Sequence, residues 1–331
     1  MTLKVGVVGA TGLVGIEILK LMPQFLRKSE FTPVGFASRV RPGENILELA
    51  SSWDELRRCD YVLSGATSEV ALMLREHMRP NQFLIDNSSA FRMDPSVPLV
   101  VPDVNGDLLK ARPPLVANPN CTAILLCVAL AAFRKVGLNR VNVATYQAAS
   151  GAGIKGLEEL DRQHAALAKG EHVPKPEVFP FQLAGNVLSH NSSIRSGTSV
   201  GAGYNEEEWK VIEETRKILD VRHLPISATC IRVPVRRAHT EAVSVDLGED
   251  LSLEAARELL RAAPGVKMVD DWESNHFPMP IESQDQDLVF VGRVRKDPSL
   301  AKTLHFMLSG DQLRKGAASN ALQIMKALVD G

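Results

Sequence analysis

Cys121 is placed to act as a nucleophile. It follows Asn118-Pro119-Asn120 and stands just ahead of the apolar run Ala123 to Phe133, which predicts a buried helix. The thiol therefore falls at or beside a helix N-terminus, where partial positive charge favours the thiolate, the form that attacks carbonyl carbon. The other three cysteines lack that setting. Cys127 lies inside the same apolar run, and Cys59 and Cys230 are expected to be buried structural thiols. Four cysteines without a CxxC pair fit neither a disulfide framework nor a metal site, so reduced thiols and no bound metal are expected.

A second chemical feature opens the chain. Gly9-Ala10-Thr11-Gly12-Leu13-Val14-Gly15 follows the apolar strand candidate Lys4 to Val8 and leads into Val14 to Met22, apolar at helical spacing. Backbone amides of Gly9, Thr11, Gly12, Leu13 and Val14 could then approach a pyrophosphate, with the helix start adding positive charge. The spacing is GxxGxxG, a variant of the usual dinucleotide fingerprint. An NAD site places an acid roughly 20 residues further on. This chain instead has Ser38, Arg39 and Arg41 in that region, a hydroxyl and two guanidiniums that suit a 2′-phosphate, so NADP is expected. As a structural alternative, the turn merely packs a helix on a sheet and the arginines are solvated.

These residues need a scaffold of strands and helices. The 331 residues suffice for about two domains with a cleft. Apolar residues at 45% and charged residues at 23% are globular values, and 38 basic against 39 acidic residues supply no broad positive field for nucleic acid. No stretch approaches the roughly 20 apolar residues that span a bilayer, and the N-terminus lacks a signal-peptide cleavage pattern, so a cytoplasmic address is expected. Further strand candidates at 32–36, 61–63, 83–85 and 99–101 alternate with helix-length segments, predicting an α/β, Rossmann-type doubly wound N-terminal domain. Longer alternating segments at 141–147 and 238–247 predict a second, α+β domain. The expected division is 1–121 completed by the C-terminal helix 312–331, and 122–311. Residues 170–196, rich in proline, asparagine and serine, read as an excursion from the compact body, an oligomer contact or a lid.

The order of motifs resembles the aspartate-semialdehyde dehydrogenase family across nearly the full chain: GATGLVG, DNSSAFRMD at 86–94, VPDVN at 101–105, NPNCT at 118–122, YQAASGAGIKG at 146–156, NEEEWKVIEETRKIL at 205–219, RVPVRRAHTEAV at 232–243 and DQLRKGAASNALQI at 311–324. The resemblance implies reductive dephosphorylation of β-aspartyl phosphate with NADPH, through a cysteine thioester, in aspartate-derived amino-acid biosynthesis. It assigns the nucleophile to Cys121, orientation of the acyl group to Gln147 and acid/base work to His239. It assigns the substrate carboxylate to Arg232, the amino group and phosphate to Glu207 and Lys210, a second phosphate ligand to Arg92, and a substrate contact to Asn120. Cofactor contacts from Ser150, Gly151 and Gln312, and a homodimer or dimer of dimers, follow from the same likeness. Arg232 and His239, seven residues apart, would lie on opposite faces of one strand, so a bend is expected between Pro234 and Ala238. Glu207 and Lys210 at i,i+3 can share a helix face.

Two departures stand out. Val40 occupies the position of the family's cofactor-selecting arginine when Ser38 and Gly43 are aligned, and Gly65-Ala66-Thr67 differs from the usual Ala-Gly sequence. N-acetylglutamyl-phosphate reductases share the two-domain plan but set their cysteine in Gly-Cys-Tyr, unlike Asn120-Cys121-Thr122. A non-catalytic relative would have lost the nucleophile, which is present here.

Overall fold

The computed structural model describes residues 2–26, 31–40, 43–198 and 200–331; Arg41 lies outside them. The chain divides into two compact units, one of residues up to Asn120 with Gly316–Gly331, the other Cys121–Lys315.

The first unit is built on six parallel strands, β1 (Leu3–Val8), β2 (Phe31–Ala37), β3 (Ile46–Glu48), β4 (Tyr61–Ser64), β5 (Phe83–Asp86) and β6 (Leu115–Ala117), in the order β3-β2-β1-β4-β5-β6. This is the dinucleotide-fold order, whose strand sequence reverses between β1 and β4. Valines 5, 7 and 8, Leu63, Leu84 and Ile85 are fully buried, as expected for strands covered on both faces. Ile18, Leu21 and Met22 of the Leu13–Phe25 helix share one apolar cluster with Ala321, Leu322, Ile324, Met325 and Leu328 of the C-terminal helix.

Two sequence expectations need correction. Leu99–Val101 is not a strand: Leu99 makes only a single bridge to Ala117, and Asn105 satisfies this backbone by accepting from the Val101 amide at 2.9 Å and donating to the Leu99 carbonyl at 3.0 Å. The sheet takes β3 and β6 instead, each three residues long and too short to read from pattern. The closing helix does not begin at Gln312, because a π turn over Arg314–Ala318 precedes the α-helix Ser319–Asp330.

The second unit holds a mixed sheet of β7 (Leu138–Gln147), β8 (Leu188–Ser189), β9 (Ile226–Arg232), β10 (His239–Leu247), β11 (Val266–Met268), β12 (Val289–Lys296) and β13 (Thr303–Gly310), ordered β11-β12-β13-β10-β7-β9-β8. Its central strands alternate in burial with period two, so one face is covered and the other is partly open. The Cys121–Leu130 helix, buried from Thr122 onward, packs on the Glu206–Leu219 helix and on β13. Gly310 in β13 permits that approach, since a Cβ there would lie 2.6 Å from Leu125 Cδ2. Residues 170–187 carry no helix or strand and return to the sheet through β8.

Candidate active site

Cys121 is the first residue of its helix and the only one of the four cysteines that is not buried. Burial pushes the Cys59 thiol up to about 11 and raises those of Cys127 and Cys230 further, so these three stay protonated and inert near neutral pH. Burial pulls the Arg232 guanidinium below its ordinary value, with Glu207 and then Cys121 of the same unit acting against that shift.

In the same unit, three strand ends hold Gln147, Arg232 and His239. Gln147 closes β7 and is the register partner of Arg232, which closes β9. Thr240 of β10 pairs with Tyr146 of β7, which brings His239 opposite Gln147 on the other side. Arg232, Gln147 and His239 thus form one row across three neighbouring strands, all on the covered face. The anticipated bend is present: residues 233–238 leave the sheet, and Ala238 adopts φ +72° immediately before His239. Ala238 N–H donates to Gln312 Oε1 at 2.8 Å, Gln312 Nε2 donates to Ser150 Oγ, and the amides of Ala149 and Ser150 bond the carbonyls of Val235 and Arg236. Ser150 and Gln312 are therefore buried and engaged with each other, bracing this turn.

The buried polar groups have fixed orientations. Gln147 accepts from Thr145 Oγ1 at 3.1 Å and donates through Nε2 to Glu207 Oε1 at 3.1 Å. Glu207 sits in the first turn of the Glu206–Leu219 helix, whose start is fixed by a capping box between Asn205 and Glu208, and its carboxylate lies 3.9 Å from Lys210 Nζ. Ala148 N–H donates to His239 Nδ1 at 3.0 Å, so the neutral ring carries its proton on Nε2. Nε2 is buried and has no hydrogen-bond partner among the described residues. Burial and the Arg232 charge hold this imidazole down to about 3, which keeps it neutral. Gly151 lies against both neighbours: a Cβ there would sit 3.0 Å from Arg232 Nη1 and 3.3 Å from His239 Cε1.

The first unit carries the remaining candidates. Gly9 has φ +80°, and a side chain on it would meet the Gly65 backbone at 3.0 Å; one on Gly15 would lie 2.2 Å from the Gly9 carbonyl. The turn thus needs glycine for close packing, and Gly12 caps the helix, leaving the first-turn amides of Leu13 and Val14 without intrahelical acceptors. That cradle, at the strand-order reversal, fits a dinucleotide pyrophosphate. Ser38 and Arg39 are exposed just beyond the C-terminal end of β2. Arg92 is buried and donates through Nε to the Asn118 carbonyl at 3.1 Å and through Nη2 to the Asn87 carbonyl at 2.6 Å; Asn120 is also buried.

Two residues escaped the sequence reading. His190, within the 170–196 excursion, lies with Nε2 2.7 Å from Arg232 Nη2. Glu241, two residues beyond His239 and on the same face, is fully buried with neither oxygen hydrogen-bonded among the described residues, and burial raises its carboxyl well above the usual range. Among the described residues no cluster of potential ligands could hold a metal, and no helix is long and apolar enough to cross a membrane.

A dinucleotide-fold unit together with a second sheet unit that carries an unburied thiol at a helix start is the plan of a nicotinamide-dependent oxidoreductase. Residues 4–112 match the NAD binding domain of semialdehyde dehydrogenases, and 130–315 match their dimerisation domain. The chain is 41% identical over 336 residues to the aspartate-semialdehyde dehydrogenase of Synechocystis sp., covering 99% of this chain and 98% of the relative, and 39% identical over 343 residues to that of Aquifex aeolicus, covering 99% and 98%. The solved aspartate semialdehyde dehydrogenase II of Vibrio cholerae superposes with a TM-score of 0.89 at 31% identity, covering 100% of this chain and 99% of that one. This chain belongs to the aspartate-semialdehyde dehydrogenase family.

Proposed function

We propose that the protein reduces β-aspartyl phosphate to aspartate semialdehyde with NADPH, and runs the reverse reaction with inorganic phosphate, through an acyl group on Cys121. The observation that carries this reading is the row of Arg232, Gln147 and His239 in the unit where the unburied Cys121 opens a helix. In the first step the Cys121 sulfur bonds to the acyl carbon, the carbon–oxygen bond to phosphate breaks, and phosphate departs with the bonding pair. Arg92 and Lys210 are the cations assigned to that leaving group. Bound NADPH supplies the hydride that turns the resulting thioester into a thiohemiacetal oxyanion. In place of the acid/base transfer that the resemblance implies, His239 offers its Nε2–H to the developing oxyanion as a neutral donor, and collapse to the aldehyde returns the pair to sulfur, so the ring need not give up its proton. Arg232 takes the substrate carboxylate through its unpartnered Nε–H, Glu207 takes the ammonium, and Gln147 orients the acyl oxygen. Asn120 is assigned a supporting substrate contact.

For the cofactor, the glycine turn at Gly9, Thr11, Gly12, Leu13 and Val14 is assigned the pyrophosphate, and Ser38, Arg39 and Arg41 the 2′-phosphate, favouring NADP. Ser150, Gly151 and Gln312 would then shape the nicotinamide side. A homodimer is supported by the partly open sheet face and by Phe181 and Val187, apolar yet 69% and 61% exposed in the excursion; light scattering of the purified chain tests it. The activity is tested by mixing the protein with aspartate semialdehyde, NADP and phosphate. Phosphate-dependent formation of reduced nicotinamide is expected, and its absence would overturn the reading.

A further inference from the structure

Arg232 is 2% exposed, and its guanidinium is held almost entirely by protein. Nη1 donates to the Ala148 carbonyl at 2.5 Å, while Nη2 reaches His190 Nε2 at 2.7 Å and Asn191 Oδ1 at 3.2 Å. Nε is buried with no partner among the described residues, a donor kept for a ligand.

A guanidinium only donates, so His190 Nε2 must accept, which puts the ring proton on Nδ1. Nδ1–H then donates to Ser192 Oγ at 3.1 Å, the Ser192 amide lying further off at 3.3 Å and yielding to the shorter Arg232 contact that sets the tautomer, and the Ser192 hydroxyl accepts from the Glu207 amide at 3.1 Å. His190 is anchored in turn, since its own amide bonds the Cys230 carbonyl at 3.1 Å as the chain leaves β8. A continuous path of hydrogen bonds therefore runs from Arg232 on β9 through His190 and Ser192 to the helix that presents Glu207.

We propose that His190 is a positioning residue for the substrate site, orienting Arg232 toward the substrate carboxylate and tying it to the helix whose Glu207 meets the ammonium. The proposal rests on the assignment of Arg232 to that carboxylate. A neutral ring suits the task, and burial together with the Arg232 charge holds His190 down to about 4. The excursion thereby contributes to substrate recognition, because it delivers His190 to the end of β9.

The test measures kcat and KM for two aldehydes, aspartate semialdehyde and 3-aminopropanal, which lacks the carboxylate, in wild type, His190→Ala, His190→Gln and Arg232→Lys. In His190→Ala, KM for aspartate semialdehyde is expected to rise about tenfold, the scale of one charge-assisted hydrogen bond, with kcat within about threefold. Efficiency with 3-aminopropanal should not change, and His190→Gln, which restores an acceptor, should recover most of the loss. Equal losses on both aldehydes, or no rescue by glutamine, would overturn the proposal. Arg232→Lys separates the two layers: if it keeps wild-type preference for the carboxylate-bearing aldehyde, the Arg232 assignment fails. If it loses that preference while His190→Ala keeps it, only the role of His190 fails.

Discussion

The backbone amide of Ala148 donates to Nδ1 of His239, and this bond decides which ring nitrogen is left to donate. A neutral imidazole with a fixed Nε2–H stabilises an oxyanion without changing protonation state. With the ring held down to about 3, His239 remains neutral across the working range. Replacing His239 by Ala should therefore lower kcat about 10²–10³-fold, the scale of a lost oxyanion donor, while the pH–rate profile between 6 and 8 keeps the wild-type shape. A limb near pH 6.5 that vanishes with the histidine would show that the ring titrates during turnover.

Gly151 is a packing requirement of the same row. Its backbone suits any residue, yet a methyl group would press on the Arg232 guanidinium and the His239 ring together. Gly151→Ala should reduce kcat/KM about tenfold or more through displacement of these two groups, with a thermal midpoint within a few degrees of wild type. Unchanged kcat/KM would mean that their positions do not matter to the reaction.

Cofactor choice turns on the short stretch after β2. Removing the side chains of Arg39 and Arg41 together should raise KM for NADP at least about tenfold, with little effect on the weaker use of NAD. Equal efficiency with both cofactors in the wild type would contradict the assignment.

Glu241 gives a stability test with a definite sign. Its carboxyl is raised well above 4.5, so above that pH the unfolded chain releases a proton that the folded chain keeps. Unfolding is then favoured progressively as pH rises, by up to about 1.4 kcal/mol per pH unit until the folded group titrates. Urea denaturation from pH 5 to 8 should show the stability difference between Glu241→Gln and wild type moving in favour of the variant as pH increases. A constant difference would mean that Glu241 ionises normally in the fold.

The legible features of the sequence are those set by local pattern. The glycine turn announces itself because strand, glycines and helix are contiguous, and Cys121 because a polar tetrapeptide meets an apolar helix. Arg232 and His239 become interpretable together only when a bend is inserted between them, and their row with Gln147 depends on strand order, which no local pattern encodes. β3 and β6 escape because three residues show no period, whereas 99–101 misleads because it makes a single bridge to Ala117 of β6 while an asparagine side chain takes the Val101 amide and Leu99 carbonyl on its other side. His190 is hidden for a related reason: its segment has no periodicity, and its meaning arises only where the chain returns to the edge of β9.

The central claim concerns the bond formed at Cys121. Enzyme mixed with aspartate semialdehyde and NADP in the absence of phosphate, then quenched and digested, should yield an aspartyl adduct on the Cys121 peptide by mass spectrometry. The adduct should disappear when phosphate is added before quenching and never form in Cys121→Ser. Full phosphate-dependent turnover in Cys121→Ser, or turnover by the wild type with the acyl group on another residue, would contradict the account.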